Sequence, residues 1–248
     1  MSMLKLIDVR YKNILKGINF SLEENSFNIL IGKNSCGKST LVKVLAEIIG
    51  FRGKISFKGD RPDIGFFTED NLFSYKKVVD NIIFILINLG YSKKFSLRKA
   101  ICLLKQFDLE YLKDEEISNL SYKEKRLVEF LSCIIHKPKL IVIDDSFDYL
   151  TDIERKKILL NLKEMKCAVL YVTNKLEDII YADKIIIMNE GKTTFVGTFE
   201  ELISSEKNFI NNKLYPPFML DLSYKFRDYQ LIDKIILNNE EMVEAIWK

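Results

Sequence analysis

Short apolar runs that alternate with segments of helical period predict an α/β fold. The expected form is a parallel core sheet with an N-terminal antiparallel β region, a helical insertion and a helical C-terminal extension. Three observations carry this expectation. An apolar run at 27–31 leads into Gly32-Lys33-Asn34-Ser35-Cys36-Gly37-Lys38-Ser39-Thr40, and Leu41, Val44, Leu45 and Ile48 then recur at helical spacing. Four apolar residues, Leu140-Ile141-Val142-Ile143, end on Asp144-Asp145, the pattern of a buried strand that delivers carboxylates at its tip. Helix and strand patterns then alternate, with a helix at 152–165 and strands at 168–172 and 184–188, as a largely parallel sheet requires.

Taken in order, the first element of chemical interest is the glycine-bounded run 32–40. Gly32 and Gly37 let the backbone fold around an anion, with N–H groups pointing inward and a helix start adding its positive end. The loop residues Lys33, Asn34, Ser35 and Cys36 line that cradle. The spacing places Lys38 on the β- and γ-phosphates of a nucleoside triphosphate, the Ser39 hydroxyl on Mg²⁺ and Thr40 on a further phosphate contact. Strand candidates at 54–57 and 63–67 follow. From 78 to 136 the pattern is helical: 78–89, 96–107, and a third helix opened by the capping box Ser121-Tyr122-Lys123-Glu124. The single histidine, His136, precedes Pro138 and reads as a C-terminal helix residue rather than a ligand. Asn189-Glu190-Gly191-Lys192 reads as a hairpin turn into a strand at 193–196, and Thr198-Phe199-Glu200-Glu201 opens another capped helix. Beyond 205 the chain is helical, broken at Pro216-Pro217.

Composition narrows the function classes. With 248 residues, 48% of them hydrophobic, the chain buries a large core, and a formal charge of +3 gives no single-sign field of the kind nucleic-acid binding needs. Cys36, Cys102, Cys133 and Cys167 form no Cys-x-x-Cys pair, and MSMLKLIDVR lacks a long apolar segment, so a reduced, cytosolic chain is expected. The longest near-apolar run, 82–89, falls far short of the roughly 20 residues that span a bilayer. Membrane contact is therefore expected through partners only.

In order and register these segments resemble the ATPase subunits of ABC transporters over residues 4 to about 203. Leu140 to Asp145 looks like that family's second carboxylate motif, with Asp144 in the Mg²⁺ shell. Leu120-Ser121 stands eighteen positions before Pro138, the family's spacing from its signature motif to the turn into that strand. Tyr11 falls where the family stacks an aromatic on adenine; a plain strand-edge tyrosine is the other reading. The tail, with Leu214-Tyr215-Pro216-Pro217-Phe218, Leu222-Ser223-Tyr224-Lys225-Phe226-Arg227 and Glu240 to Trp247, resembles the C-terminal extension of energy-coupling factor transporter ATPases. The resemblance implies an ATPase domain at 1–204, with a helical subdomain at about 72–138, and an extension at 205–248. It further implies ATP and Mg²⁺ as ligands.

Several positions depart from the family's pattern. The signature Leu-Ser-Gly-Gly-Gln reads Leu120-Ser121-Tyr122-Lys123-Glu124, so both glycines and the amide are gone. In the family this loop meets the γ-phosphate held by the opposite subunit. Tyr122 obstructs that approach and Glu124 adds a like charge, with Lys123 as a partial compensation. The family's catalytic glutamate is Asp145 here, one methylene and about 1.5 Å shorter. Its switch histidine is Asn174, which donates a hydrogen bond but does not titrate at neutral pH. Its metal-proximal glutamine aligns with Glu69, with Thr68 as the alternative, and Thr151 or Asp152 stands at its D-loop aspartate.

Groups that hold nucleotide and metal survive while those that carry hydrolysis are altered. The resemblance then implies the catalytically weakened member of an ATPase heterodimer in an energy-coupling factor importer for vitamins or transition metals. Its partners would be a second ABC ATPase, a transmembrane coupling subunit and a substrate-binding membrane subunit, at the cytoplasmic face of the membrane. The competing readings are an ATPase of another ABC system, such as an exporter, and a non-hydrolysing structural or regulatory partner.

Overall fold

The computed structural model describes residues 2–60, 63–68, 73, 75–144 and 147–247, and the chain is an α/β protein. Its first strands, β1 (Ser2–Tyr11) and β2 (Leu15–Glu23), mix buried and exposed positions, whereas β3 (Phe27–Ile31) is buried throughout, Asn28 included, as a strand of mostly apolar residues allows. Helix α1 (Lys38–Leu45) and strand β4 (Arg52–Phe57) follow, and β1, β2 and β4 form a three-stranded sheet in the order β2-β1-β4.

Two compact units divide the described chain. In the unit of Met1–Lys5, Ser21–Phe27 and Ser56–Val172, β5 (Ile64–Phe67) leads to the helices α2 (Val78–Asn88), α3 (Lys93–Gln106) and α4 (Tyr122–Ile134). Strand β6 (Leu140–Asp144), helix α5 (Asp152–Glu164) and strand β7 (Ala168–Val172) complete it. The strands β5, β6 and β7 are parallel neighbours, Phe67 facing Ile143 and Asp144 facing Val172 in register. Helix α2 packs on α3 and α4. The core under α4 is aromatic: Phe67 lies edge-on to Phe130 at 5.6 Å and stacks on Phe147 at 5.8 Å, and Phe147 meets Tyr171 at 5.8 Å.

The other unit comprises Leu6–Phe20, Asn28–Ile55 and Thr173–Lys248. Here β3 pairs in parallel with β8 (Lys184–Asn189), and β8 turns back antiparallel into β9 (Lys192–Gly197) with a register shift between Ile187 and Met188. The tail carries α6 (Phe199–Ile203), α7 (Lys207–Asn211), α8 (Phe218–Asp228) and α9 (Asn239–Ile246), with α8 starting directly after Pro216-Pro217. It builds its own small core from Ile232, Ile236 and Met242 packed against Leu222 and Phe226. The buried Ser223 hydroxyl donates to the Ile236 carbonyl at 2.5 Å and accepts from its amide at 2.9 Å.

Three local expectations are corrected. Helix α1 ends at Leu45, left-handed Glu47 (φ 55°) turns the chain, and Ile48 is 71% exposed rather than on the helix's buried face. Helix α3 begins at Lys93, three residues earlier than the apolar pattern suggests, because Ser92 caps it by accepting from the Phe95 amide. His136 stands beyond the end of α4, which stops at Ile134, in the turn before left-handed Lys137 (φ 55°). Among the described residues no helix is long and apolar enough to cross a membrane.

Candidate functional site

The loop between β3 and α1 is shaped by close backbone approach. A Cβ on Gly32 would stand 2.2 Å from the Met188 carbonyl oxygen and 2.7 Å from the Cys36 sulfur, so only glycine leaves the loop where it is. Gly37 takes φ 106° as the N-cap of α1 and supplies no side chain, so the first-turn amides of that helix receive no side-chain acceptor. Unfilled donors at a helix start form an anion-binding end. The Lys38 ammonium folds back over the loop and donates to the carbonyls of Gly32 at 2.6 Å and Lys33 at 3.1 Å. A cradle of backbone donors with an ammonium above it fits a polyphosphate, and the Ser39 hydroxyl at its rim is of the donor type Mg²⁺ takes. Burial pushes the Cys36 thiol above its usual range.

Two further segments converge on this loop within the same unit. Gly191, at the tip of the β8–β9 turn with φ 79°, donates its amide to the Cys36 carbonyl at 3.1 Å, and its own carbonyl accepts from the Lys16 amide at 2.7 Å. That turn is a prop for the loop, which hairpin spacing alone does not reveal. Tyr11 ends β1, half-buried, with the Lys12 ammonium 5.2 Å from its ring centre. It precedes a tight turn, Ile14 amide to Tyr11 carbonyl at 3.0 Å, and the next residue, Leu15, would meet a Cβ on Gly37 at 3.0 Å. Asn174 is exposed directly after Thr173, whose amide donates to the Leu30 carbonyl of β3 at 3.1 Å.

In the other unit Asp144 is the last residue of β6 and is half-buried at the strand's C-terminal end. Its neighbour Asp145 lies outside the described residues, as does Glu69. Thr68, the alternative to Glu69, is described: its carbonyl oxygen accepts two hydrogen bonds, both 3.1 Å, from the two terminal nitrogens of Arg126.

The signature-position segment is bound up with its own chain. Ser121 caps α4, accepting from the Glu124 amide at 3.3 Å; its hydroxyl donates to Glu124 Oε2 at 2.6 Å and its amide to the same oxygen at 2.8 Å. The Tyr111 hydroxyl donates to Glu124 Oε1 at 2.9 Å. These donors, the Ser121 hydroxyl foremost, hold the Glu124 carboxyl below its usual range. Lys123 donates to Glu154 Oε1 at 2.5 Å, so the ammonium that the sequence offers as a compensating charge is already engaged. Glu154 in turn closes the cap of α5, where Thr151 donates to it from its amide and its hydroxyl, both at 3.0 Å. Its carboxyl is held below the usual range, chiefly by Lys123. Tyr122 is 68% exposed and sits edge-on to Tyr149 at 5.8 Å. Asp152 pairs with Arg155 at 3.1 Å. Sequence reasoning misses Glu154 and Tyr111. The repeat of one capping-box spacing, Ser121 to Glu124 and Thr151 to Glu154, is the available signal for the first; nothing local marks the second.

Comparison with known proteins agrees with this geometry. The model of the ABC transporter family matches residues 15–148. The energy-coupling factor transporter ATP-binding protein EcfA1 of Ureaplasma parvum is 29% identical over 95% of this chain and 86% of its own length. Its namesake from Mycoplasma genitalium is 30% identical over 90% and 89%. In shape, the chain superposes with a TM-score of 0.73 on cbiO1 from Clostridium perfringens, described as part of the ABC transporter complex cbiONQ, at 23% identity over 89% of this chain and 98% of that one.

Proposed function

This chain belongs to the ABC transporter family, and from that premise we propose that it is the ATP-binding subunit of an energy-coupling factor type importer. The observation that carries the proposal is the loop of residues 32–40, built so closely that a single methyl on Gly32 would overlap the Met188 carbonyl. In this reading Gly32 to Thr40 hold the phosphates of ATP and Tyr11 holds the adenine. The Mg²⁺ ligands in this reading are Ser39, Asp144 and Glu69, and a bound ion would neutralise phosphate charge. The ATPase domain spans 1–204 and the residues from 205 form a separate extension.

The chain is the weaker of two ATPases. Asp145 orients water with a shorter arm than glutamate, and a misplacement near 1 Å costs on the order of 100-fold in rate. Asn174 offers a hydrogen bond where a titrating group would serve better. The capping box and the Lys123 to Glu154 bond keep residues 121–124 turned to their own chain, which argues against a strong grip on a nucleotide held opposite. A second ATPase then supplies a glutamate and a signature of its own. A transmembrane coupling subunit and a substrate-binding membrane subunit complete an importer for a vitamin or a transition metal, with this chain peripheral at the cytoplasmic face.

Titration of the purified chain with a fluorescent ATP analogue tests the reading. Saturable binding that Lys38→Ala weakens at least 100-fold is expected, together with hydrolysis near background in the absence of a partner. No affinity for adenine nucleotides would overturn the proposal; fast solitary turnover would overturn the claim of weakened catalysis.

A further inference from the structure

We infer that Thr194 and Asn212 are positioning residues for the nucleotide loop, and that through them the extension beyond residue 205 sets how firmly that loop is held. The inference rests on the reading of residues 32–40 as the phosphate site, and every residue it uses lies in one compact unit. Thr194 is the extra residue of a β-bulge: Ile187 faces Phe195 and Met188 faces Thr193, so no residue of β8 stands opposite it. Its hydroxyl spans the gap. It donates to Asn212 Oδ1, with the Ile187 carbonyl oxygen at 3.2 Å as a second acceptor. Asn212, 6% exposed just past α7, donates its own side-chain amide to the Asn208 carbonyl at 2.6 Å, and the Asn208 amide donates to the carbonyls of Glu201 and Leu202 at 3.0 and 2.9 Å. The bulge is thus bolted to α6 and α7.

The nucleotide loop lies on the other side of that bulge. Met188, directly after the register shift, places its carbonyl oxygen where a Cβ on Gly32 would meet it at 2.2 Å, and Gly191 donates its amide to the Cys36 carbonyl at 3.1 Å. The segment 188–191 therefore holds the loop at two points. An inserted residue leaves the ladder locally unpaired, so the aim of the segment beyond it depends on the bonds that the inserted residue itself makes. A second tie runs from Lys213 to Glu190 at 2.6 Å and holds the Glu190 carboxyl below its usual range. Both of those groups are exposed, and such a pair contributes little, so the hold falls chiefly to the buried Asn212. By linkage, whatever the extension contributes to the loop, a nucleotide bound in the loop returns to the extension.

The test titrates the purified full chain with a fluorescent ATP analogue and compares three variants, with urea unfolding to report the fold. Thr194→Val keeps the branched shape and loses the hydroxyl, Thr194→Ser keeps the hydroxyl, and Asn212→Ala removes the acceptor from the side of the extension. Thr194→Val and Asn212→Ala should each bind the analogue about threefold to tenfold more weakly, the pair together no more weakly than the worse of the two, and Thr194→Ser within about twofold of the parent. Parent affinity in a folded Thr194→Val overturns the inference, and so does an equal loss in Thr194→Ser, the mark of a purely structural role. Normal binding by Asn212→Ala removes the extension from the account and overturns it too. If Asn212→Ala does not fold, amide exchange at residues 207–214 decides: the analogue should slow it in the parent and not in Thr194→Val, and exchange in the parent that ignores the analogue overturns the inference. A parent chain that binds no nucleotide brings down the proposed function as well, whereas tight binding that Thr194→Val leaves untouched brings down only this inference.

Discussion

Replacing Gly191 with alanine separates the nucleotide loop's support from the loop itself. At φ 79° an alanine must hold a left-handed backbone, and its Cβ would stand 2.0 Å from the Ile14 carbonyl oxygen, well over 1 Å inside contact distance. The left-handed conformation costs about 1–2 kcal/mol. Relief of the overlap adds about 1–3 kcal/mol, since what must move is backbone. The total loss of about 2–5 kcal/mol falls on the turn whose amide bonds the Cys36 carbonyl and whose carbonyl holds the Lys16 amide. Gly90→Ala is the control, because Gly90 has a similar φ of 85° but nothing within 4 Å of the point its methyl would occupy, so it carries the conformational cost alone. Urea unfolding of both variants, with ATP titration at 25 °C, gives the difference directly. Gly191→Ala should be the less stable of the two by at least about 1 kcal/mol and should bind ATP about tenfold or more weakly, while Gly90→Ala binds normally. Equal stability and equal affinity in the two variants would refute the account of the turn as a prop.

Phe147→Ala, at a fully buried ring touching Phe67, Phe130 and Tyr171, should cost about 3–5 kcal/mol by urea unfolding; a loss under about 1 kcal/mol would mean those rings do not pack as described. The Glu124 carboxyl, held low by Ser121, stabilises the start of α4 above the ordinary glutamate range, and that contribution is lost as pH falls through the lowered folded value. Protection of the amides at residues 121–125 against exchange, corrected for the intrinsic rate, should accordingly fall as acid protonates Glu124, and Ser121→Ala should return the Glu124 titration toward its ordinary range; an unmoved titration contradicts the cap. Iodoacetamide at pH 8 should label exposed Cys102 first and leave Cys167, whose thiol burial pushes up to about 11, until the chain unfolds; early labelling of Cys167 would contradict its burial.

Legibility in the sequence follows the range of the forces involved. Strand β7 is found at the expected residues and α2 within one residue, because the apolar period that forms them is local. The cap at Ser121 is equally local, a serine and a glutamate three apart. The apolar pattern misplaces the end of α1 because Ile48 keeps the helical spacing while Glu47 leaves the helical conformation, which residue type does not announce. What sequence does not supply is pairing across distance. The Lys123 to Glu154 bond links residues thirty-one apart, and Arg126 reaches Thr68 across fifty-eight, so neither leaves a periodic trace. The same limit makes Lys123 look available when its charge is already engaged.

The wiring of residues 121–124 also bears on how readily the segment can be altered. Its side chains are engaged by different neighbours: Ser121 by Glu124, Glu124 also by Tyr111, Lys123 by Glu154 and Tyr122 by Tyr149. Replacing Lys123 or Tyr122 therefore opens one contact and leaves the others, whereas replacing Glu124 frees both Ser121 and Tyr111, and residues joined in one such network do not contribute additively. Giving the segment a different arrangement therefore means releasing several contacts together, with the caps of α4 and α5 loosened before any new contact forms.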